Sequence, residues 1–155
     1  MVKITEIFHS IQGESTYAGR PCVFVRLTGC PLRCTWCDTA YAFYGGQDMT
    51  IDDIVAQVRA FDCDLVEVTG GEPLSQPASL PLLTRLCDEG FEVLVETSGA
   101  IDTTGVDRRV HVILEVEKNR QIGEIIVHWL DHTLTATDTN ADMYMALSRA
   151  VAKIE

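Results

Sequence analysis

At 155 residues the chain fits one domain with enough length to bury a core. With 46% hydrophobic and 23% charged residues it has the composition of a soluble globular protein, and a formal net charge of −11 argues against a general electrostatic surface for nucleic acid. No secretory hydrophobic region opens the chain and no apolar run is long enough to span a bilayer, so a cytoplasmic protein is expected, its six cysteines being thiols or metal ligands rather than disulfides.

The charge is uneven. Residues 1–107 hold 16 acids and 6 bases, whereas residues 108–155 hold 7 acids and 6 bases, a shift that suggests a change of module.

Residues 3–8 alternate weakly and predict a short strand, followed by a polar loop at Ile11-Gln12-Gly13-Glu14-Ser15. Gly19-Arg20-Pro21 is turn chemistry, and Cys22–Leu27 is rich in β formers. That strand delivers Cys30-Pro31-Leu32-Arg33-Cys34-Thr35-Trp36-Cys37-Asp38-Thr39 from its C-terminal end. Thr50 is placed to cap a helix, with Asp53 three residues on and Ile51, Ile54, Val55 and Val58 on one face. Leu65–Thr69 predicts the next strand, ending in Gly70-Gly71-Glu72-Pro73. A second helix is expected from about Ser79 to Glu89, stopped by Gly90, and Phe91–Thr97 is a third strand of the same kind. The alternation of strands and helices is the grammar of a parallel sheet, with sites at the C-terminal ends of its strands. After Thr104 the grammar changes: Val110–Val116, Ile122–Trp129 and Thr133–Thr137 are β-like with no helix between them, which favours an antiparallel meander. A last helix is expected from Asp138 or Thr139 to about Ile154.

Three cysteines at spacing C-x3-C-x2-C can supply thiolates to three irons of a [4Fe–4S] cluster and leave the fourth iron open for a small molecule, whereas electron-transfer clusters close with a fourth cysteine. The competing reading is a zinc loop or buried thiols, although no His or Cys closely follows Cys37 to complete a zinc set. Thr69-Gly70-Gly71-Glu72-Pro73 brings backbone groups close to a polar ligand, or is simply a sharp turn. Gln12 and Glu14 match the donor and acceptor edge of a pterin or purine, and Arg26 can fork onto a carboxylate; solvated loop polarity and a strand-edge charge are the plain alternatives. Thr39 offers a hard oxygen of the kind magnesium takes, or a turn hydroxyl. Cys22, Cys63 and Cys87 read as core residues, the four scattered histidines as structural and the Met143/Met145 pair as helix packing.

The cysteine spacing followed by the glycine loop resembles the signature of radical S-adenosylmethionine (SAM) enzymes. Over residues 4–99 the chain resembles the 7-carboxy-7-deazaguanine synthase family through Glu6-Ile7-Phe8, Ile11–Glu14, Ala18–Pro21, Phe24-Val25-Arg26, the cysteine loop with Asp38-Thr39, Thr69–Leu74 and Val95-Glu96-Thr97. The resemblance implies an α/β fold, a partial radical SAM (βα) barrel that here continues into the antiparallel β-meander and C-terminal helix. It implies conversion of 6-carboxy-5,6,7,8-tetrahydropterin to 7-carboxy-7-deazaguanine with loss of ammonia, in queuosine and 7-deazapurine biosynthesis. The implied cofactors are a [4Fe–4S] cluster on Cys30, Cys34 and Cys37, SAM held by Trp36, Cys37, Asp38 and Gly71, and Mg²⁺ on Thr39. The pterin falls to Ile11, Gln12, Gly13, Arg26 and Thr69. The implied partners are an electron donor such as flavodoxin and a second copy of the chain, with neither membrane nor direct nucleic-acid binding. A glycyl-radical-enzyme activating enzyme shares the cysteine and glycine loops but not the Ile11–Glu14 and Gly19–Arg26 stretches.

Beyond residue 99 the family pattern is lost, and residues 110–155 resemble the second half of a ribosome hibernation promoting factor through Val110-His111-Val112, Leu114–Arg120 and Asp142-Met143-Tyr144. The expectation is therefore a radical SAM core over 1–107 and a meander-plus-helix unit over 108–155, joined near Gly105–Val110, where a single sheet can continue through the join. A non-enzymatic ribosome-associated fusion is the reading from a different class. Weak activity is expected because segments that finish the family's SAM and pterin pockets have no visible counterpart.

Overall fold

The computed structural model describes residues 1–35, 37–116, 123–129 and 132–138, with backbone alone beyond Leu114. The expected last helix, Trp36 and the Lys118–Arg120 segment lie outside the described residues.

Among the described residues eight strands and two α-helices follow one another as β1 (Val2–Ile11), β2 (Pro21–Leu27), β3 (Gln47–Met49), α1 (Ile51–Arg59), β4 (Leu65–Gly70), α2 (Ser79–Asp88), β5 (Glu92–Thr97), β6 (His111–Val116), β7 (Gly123–Trp129) and β8 (His132–Asp138). They form one open sheet in the order β3-β1-β2-β4-β5-β6-β8-β7. From β2 to β8 every neighbour is parallel, while β1 runs antiparallel to β2 and β3. The strands and helices expected up to residue 97 are all present; the three-residue β3, too short to carry a pattern, was not foreseen.

The two faces of the sheet differ because side chains alternate along each strand. Val23, Val25 and Leu27 of β2, Val66 and Val68 of β4, and Val93 and Val95 of β5 all point to the helix side. There they meet Ile54, Val55 and Val58 of α1 and Leu82, Leu83 and Leu86 of α2 in one buried cluster. Helix α1 starts where the sequence indicates: the Asp53 amide donates to the Thr50 hydroxyl at 3.1 Å. Gly90, at φ +91°, ends the turn after α2.

The opposite face carries Cys22, Leu65, Leu94 and Ile113 as a small buried cluster. Above it, towards the C-terminal ends of the same strands, the inward positions turn polar. Burial pushes the Cys22 thiol up to about 12, in keeping with an inert core residue. Cys63 packs partly buried beside it, and His111 meets Tyr17 edge-on at 5.4 Å, so both have the structural roles expected of them.

The strands after residue 110 form as expected, but their order is not a meander. Val112–Val116 of β6 pairs in parallel with Leu134–Asp138 of β8, and β7 lies outside β8 as its antiparallel partner. Trp129 pairs with His132 at one end of the antiparallel β7–β8 ladder, while β8 runs parallel to β6. A parallel strand extends the ladder that β2, β4, β5 and β6 already present, so β8 takes the open edge and β7 becomes the new one.

Candidate functional site

The cysteine loop leaves the end of β2 and is fastened at once to the glycine loop at the end of β4. The Gly71 amide donates to the Leu27 carbonyl at 3.2 Å and the Glu72 amide to the Gly29 carbonyl at 2.9 Å. Gly71 has no side chain for a steric reason: a Cβ there would collide with the Gly29 carbonyl oxygen and sit 3.1 Å from the Cys30 Cβ. The two loops singled out in the sequence are therefore one unit. Gln76 adds a second tie, accepting from the Lys3 amide at 2.9 Å and donating to the carbonyls of Lys3 at 2.9 Å and Thr28 at 2.8 Å.

Glu72 anchors this unit from beneath. It is 1% exposed, yet its carboxylate accepts from the Leu74 amide at 3.1 Å, the Thr97 hydroxyl at 2.8 Å, and the Ser98 amide and hydroxyl at 2.9 and 2.6 Å. Four donors around one buried carboxylate fix the glycine loop to the end of β5. The sequence showed Glu72 only as part of the turn.

Cys30, Cys34 and Cys37 are all free thiols, Cys34 exposed and the other two half-buried. The Cys37 amide donates to the Cys34 carbonyl at 3.3 Å, and the Cys37 Sγ lies 3.7 Å from the Thr39 hydroxyl. Arg33 braces the loop from outside, donating to the carbonyls of Cys30 and Leu32 at 2.7 and 2.6 Å while its guanidinium lies 4.4 Å from the Phe43 ring centre. Among the described residues no three His, Cys, Asp or Glu side chains converge tightly enough to hold a single ion. Three thiols on one loop fit the donor set of a cluster, in which each thiolate would meet its own iron.

Beside this loop, over the polar part of the inner sheet face, lies a cavity of about 210 Å³. It is lined by Gln12, Gly13 and Glu14 from the loop after β1, Phe24 and Arg26 from β2, Asp38 and Thr39 from the cysteine loop, Glu67, Thr69 and Gly70 from β4, Glu96 from β5 and Ile113 from β6. Strand register explains the convergence, since Phe24 stands opposite Glu67, Arg26 opposite Thr69, and Glu96 opposite Ile113. Of the expected substrate residues, Gln12, Gly13, Arg26 and Thr69 are gathered here; Ile11 is not, and is 63% exposed.

Two acids that the sequence did not single out as site residues dominate the cavity wall. Gln12, 4% exposed, donates its side-chain amide to the carboxyl of Glu67, which is 3% exposed. Burial and the nearby charge of Glu96 push Glu67 up to about 8. Glu96 in turn accepts from the Thr69 hydroxyl at 2.6 Å. The available signal was positional: Glu67 lies in a run of β formers at an inward position, between Leu65 and Thr69. Arg26 donates its Nε to Glu6 at 2.9 Å, Glu6 also accepts from the Tyr41 hydroxyl at 2.7 Å, and the guanidinium lies 5.8 Å from the Phe8 ring centre. That brace holds the remaining guanidinium donors at the cavity.

The chain is similar to known proteins. The Radical SAM superfamily pattern matches residues 24–151. A 7-carboxy-7-deazaguanine synthase from Chlorobaculum tepidum is 53% identical over 116 residues, covering 75% of this chain and 53% of the relative. One from Koribacter versatilis is 50% identical over 118 residues, covering 75% of this chain and 52% of the relative. The crystal structure of QueE from Escherichia coli superposes with a TM-score of 0.66 at 29% identity, over 73% of this chain and 59% of that one. The chain thus spans about half the length of the curated relatives it matches. With its partial barrel, its cysteine loop and a matched span that runs through β6, β7 and β8, the chain belongs to the radical SAM superfamily, whose chemistry rests on a [4Fe–4S] cluster and SAM.

Proposed function

We propose that this chain carries the cofactor- and substrate-binding part of a 7-carboxy-7-deazaguanine synthase, which converts 6-carboxy-5,6,7,8-tetrahydropterin to 7-carboxy-7-deazaguanine with loss of ammonia. The observation that carries this reading is the cavity that joins Gln12, Gly13, Arg26 and Thr69 to Asp38 and Thr39 of the cysteine loop. The thiolates of Cys30, Cys34 and Cys37 hold the cluster, and the loop from Trp36 to Asp38 with Gly71 holds SAM. When bound and reduced, these groups supply the radical that starts the rearrangement. The chain's own part is to hold the pterin beside them and keep out quenchers.

Each side chain has a task that its chemistry permits. Arg26, fixed by Glu6 and Tyr41, presents guanidinium donors to the pterin carboxylate. Gln12, Gly13 and Glu14, with Ile11 acting through its backbone, meet the donor and acceptor edge of the ring. Thr69 lies beside Arg26 on the neighbouring strand, and Thr39 offers a magnesium ion one hard oxygen beside Cys37. A one-electron donor such as flavodoxin and pairing into a homodimer belong to the same proposal, as does a boundary between a core over 1–107 and a second unit over 108–155. Parallel pairing of β5 with β6 supports a sheet shared across that boundary.

The test is an anaerobic assay of the reconstituted protein with SAM, reductant and the pterin, with and without Mg²⁺, read by mass spectrometry of the deazaguanine. Product that increases with Mg²⁺ is expected, at a lower rate than SAM binding alone would suggest. SAM cleavage that never yields the deazaguanine overturns the substrate assignment.

A further inference from the structure

The Gln12 carboxamide is held at both ends. Its amide nitrogen donates to Glu67 on β4, and its oxygen accepts from the Glu14 backbone amide at 3.1 Å. A backbone N–H can only donate, so the oxygen must face Glu14 and the NH2 group must face Glu67. Turning the amide over would set its NH2 group against the Glu14 N–H. The backbone of Gln12 is fixed too, its amide donating to Arg20 at 2.9 Å and its carbonyl accepting from Gly19 at 2.7 Å. Glu67 is therefore the part of this arrangement that reaches from the rigid sheet to the loop.

We propose that Glu67 is the positioning residue of the cavity: from β4 it locks the Gln12 carboxamide, and through it the Gln12–Glu14 edge, in the one orientation that can receive a ligand. This rests on the reading of the cavity as the pterin site, and it adds to that reading a residue with no place in the sequence motifs. With Gln12 and Glu67 only 4% and 3% exposed, loss of the acceptor leaves the Gln12 NH2 group poorly paired. A loop edge without this tie would sample several arrangements, and only some of them would present Gly13 and Glu14 to the ring.

The charge state of Glu67 gives the idea a second signature. Glu96 faces it from β5, Glu14 from the loop, and Arg26 and Cys22 from β2. With the carboxyl pushed up to about 8, Glu67 is mostly neutral at pH 7 and gains a charge as pH rises past that value. The added charge opposes a carboxylated ligand, so affinity falls over that range.

Glu67→Gln keeps an acceptor for Gln12 and removes the titration, whereas Glu67→Met removes both. Binding of 6-carboxy-5,6,7,8-tetrahydropterin to the reconstituted protein is measured by anaerobic calorimetry between pH 6.5 and 9. Hydrogen exchange of the Glu14 and Gly19 amides is followed in the same three proteins, with α1 and α2 as the control for intact folding. At pH 7 Glu67→Gln binds like wild type, while Glu67→Met loses on the order of tenfold in affinity and exchanges those two amides on the order of tenfold faster. The ratio of wild-type to Glu67→Gln dissociation constants, in which titration of the ligand itself cancels, rises several-fold towards pH 9. Equal affinity and equal exchange in Glu67→Met, or a flat ratio, overturn the proposal. If wild type binds no pterin, the substrate reading falls, and the exchange rates alone decide whether Glu67 holds the loop.

Discussion

Among single residues, Glu67 combines burial with an ionisable group, and this makes folding stability depend on pH. In the unfolded chain its carboxyl ionises near its ordinary value of 4.5, while in the folded chain it stays protonated until about 8. Between those values the folded state binds the extra proton, so this group subtracts stability progressively as pH rises, with none subtracted below the lower value. Thermal melting of wild type and Glu67→Gln at pH 5 and pH 8 reads this directly: the variant's advantage is expected to be larger at pH 8. An equal difference at both values would show that the carboxyl titrates normally. Glu67 also shows what the residues reveal by themselves. The three cysteines and Gly70-Gly71 were legible because their spacing is itself the chemistry. Glu67 and Glu96 were not, since their role depends on register between strands that are distant in sequence, with Phe24 opposite Glu67 and Glu67 opposite Leu94. Gln12 was legible as a polar loop residue but not as a side chain 4% exposed and held at both ends.

At the scale of elements, the cysteine loop and the glycine loop act as one piece, and Gly71 is where they touch. Gly71→Ala puts a methyl group against the Gly29 carbonyl and the Cys30 Cβ, and backbone cannot swing aside as a flexible side chain can. The loops must part, so iron uptake is expected to fall severalfold in Gly71→Ala while far-ultraviolet circular dichroism stays that of wild type. Unchanged iron content would mean that the loops are less tightly coupled than their hydrogen bonds indicate. Strand and helix positions up to Thr97 were readable because apolar periodicity is local, as in Ile54, Val55 and Val58 on α1. Strand order was not. Alternation marks a strand but says nothing of its neighbours, so three consecutive strands read as a meander although β8 lies between β6 and β7. What sets their order is the antiparallel pairing of β7 with β8 together with the parallel edge offered by β6.

For the whole molecule, the sheet stays open, with β3 and β7 at its two edges among the described residues. An open edge is a template for pairing, which is the physical basis for proposing that two copies associate. Sedimentation velocity across a concentration series is expected to give a dimer or larger species; a monodisperse monomer with turnover like that of the full-length relatives would show that the edges need no partner. Among the described residues no helix is long and apolar enough to cross a membrane. The account as a whole depends on whether the rim formed by the ends of β2 and β4 assembles a cluster on Cys30, Cys34 and Cys37. Iron analysis and electron paramagnetic resonance after anaerobic reconstitution test this most directly. About four irons per chain, a reducible cubane signal and loss of both in Cys34→Ala are predicted; one tightly held zinc with no uptake of iron would contradict it.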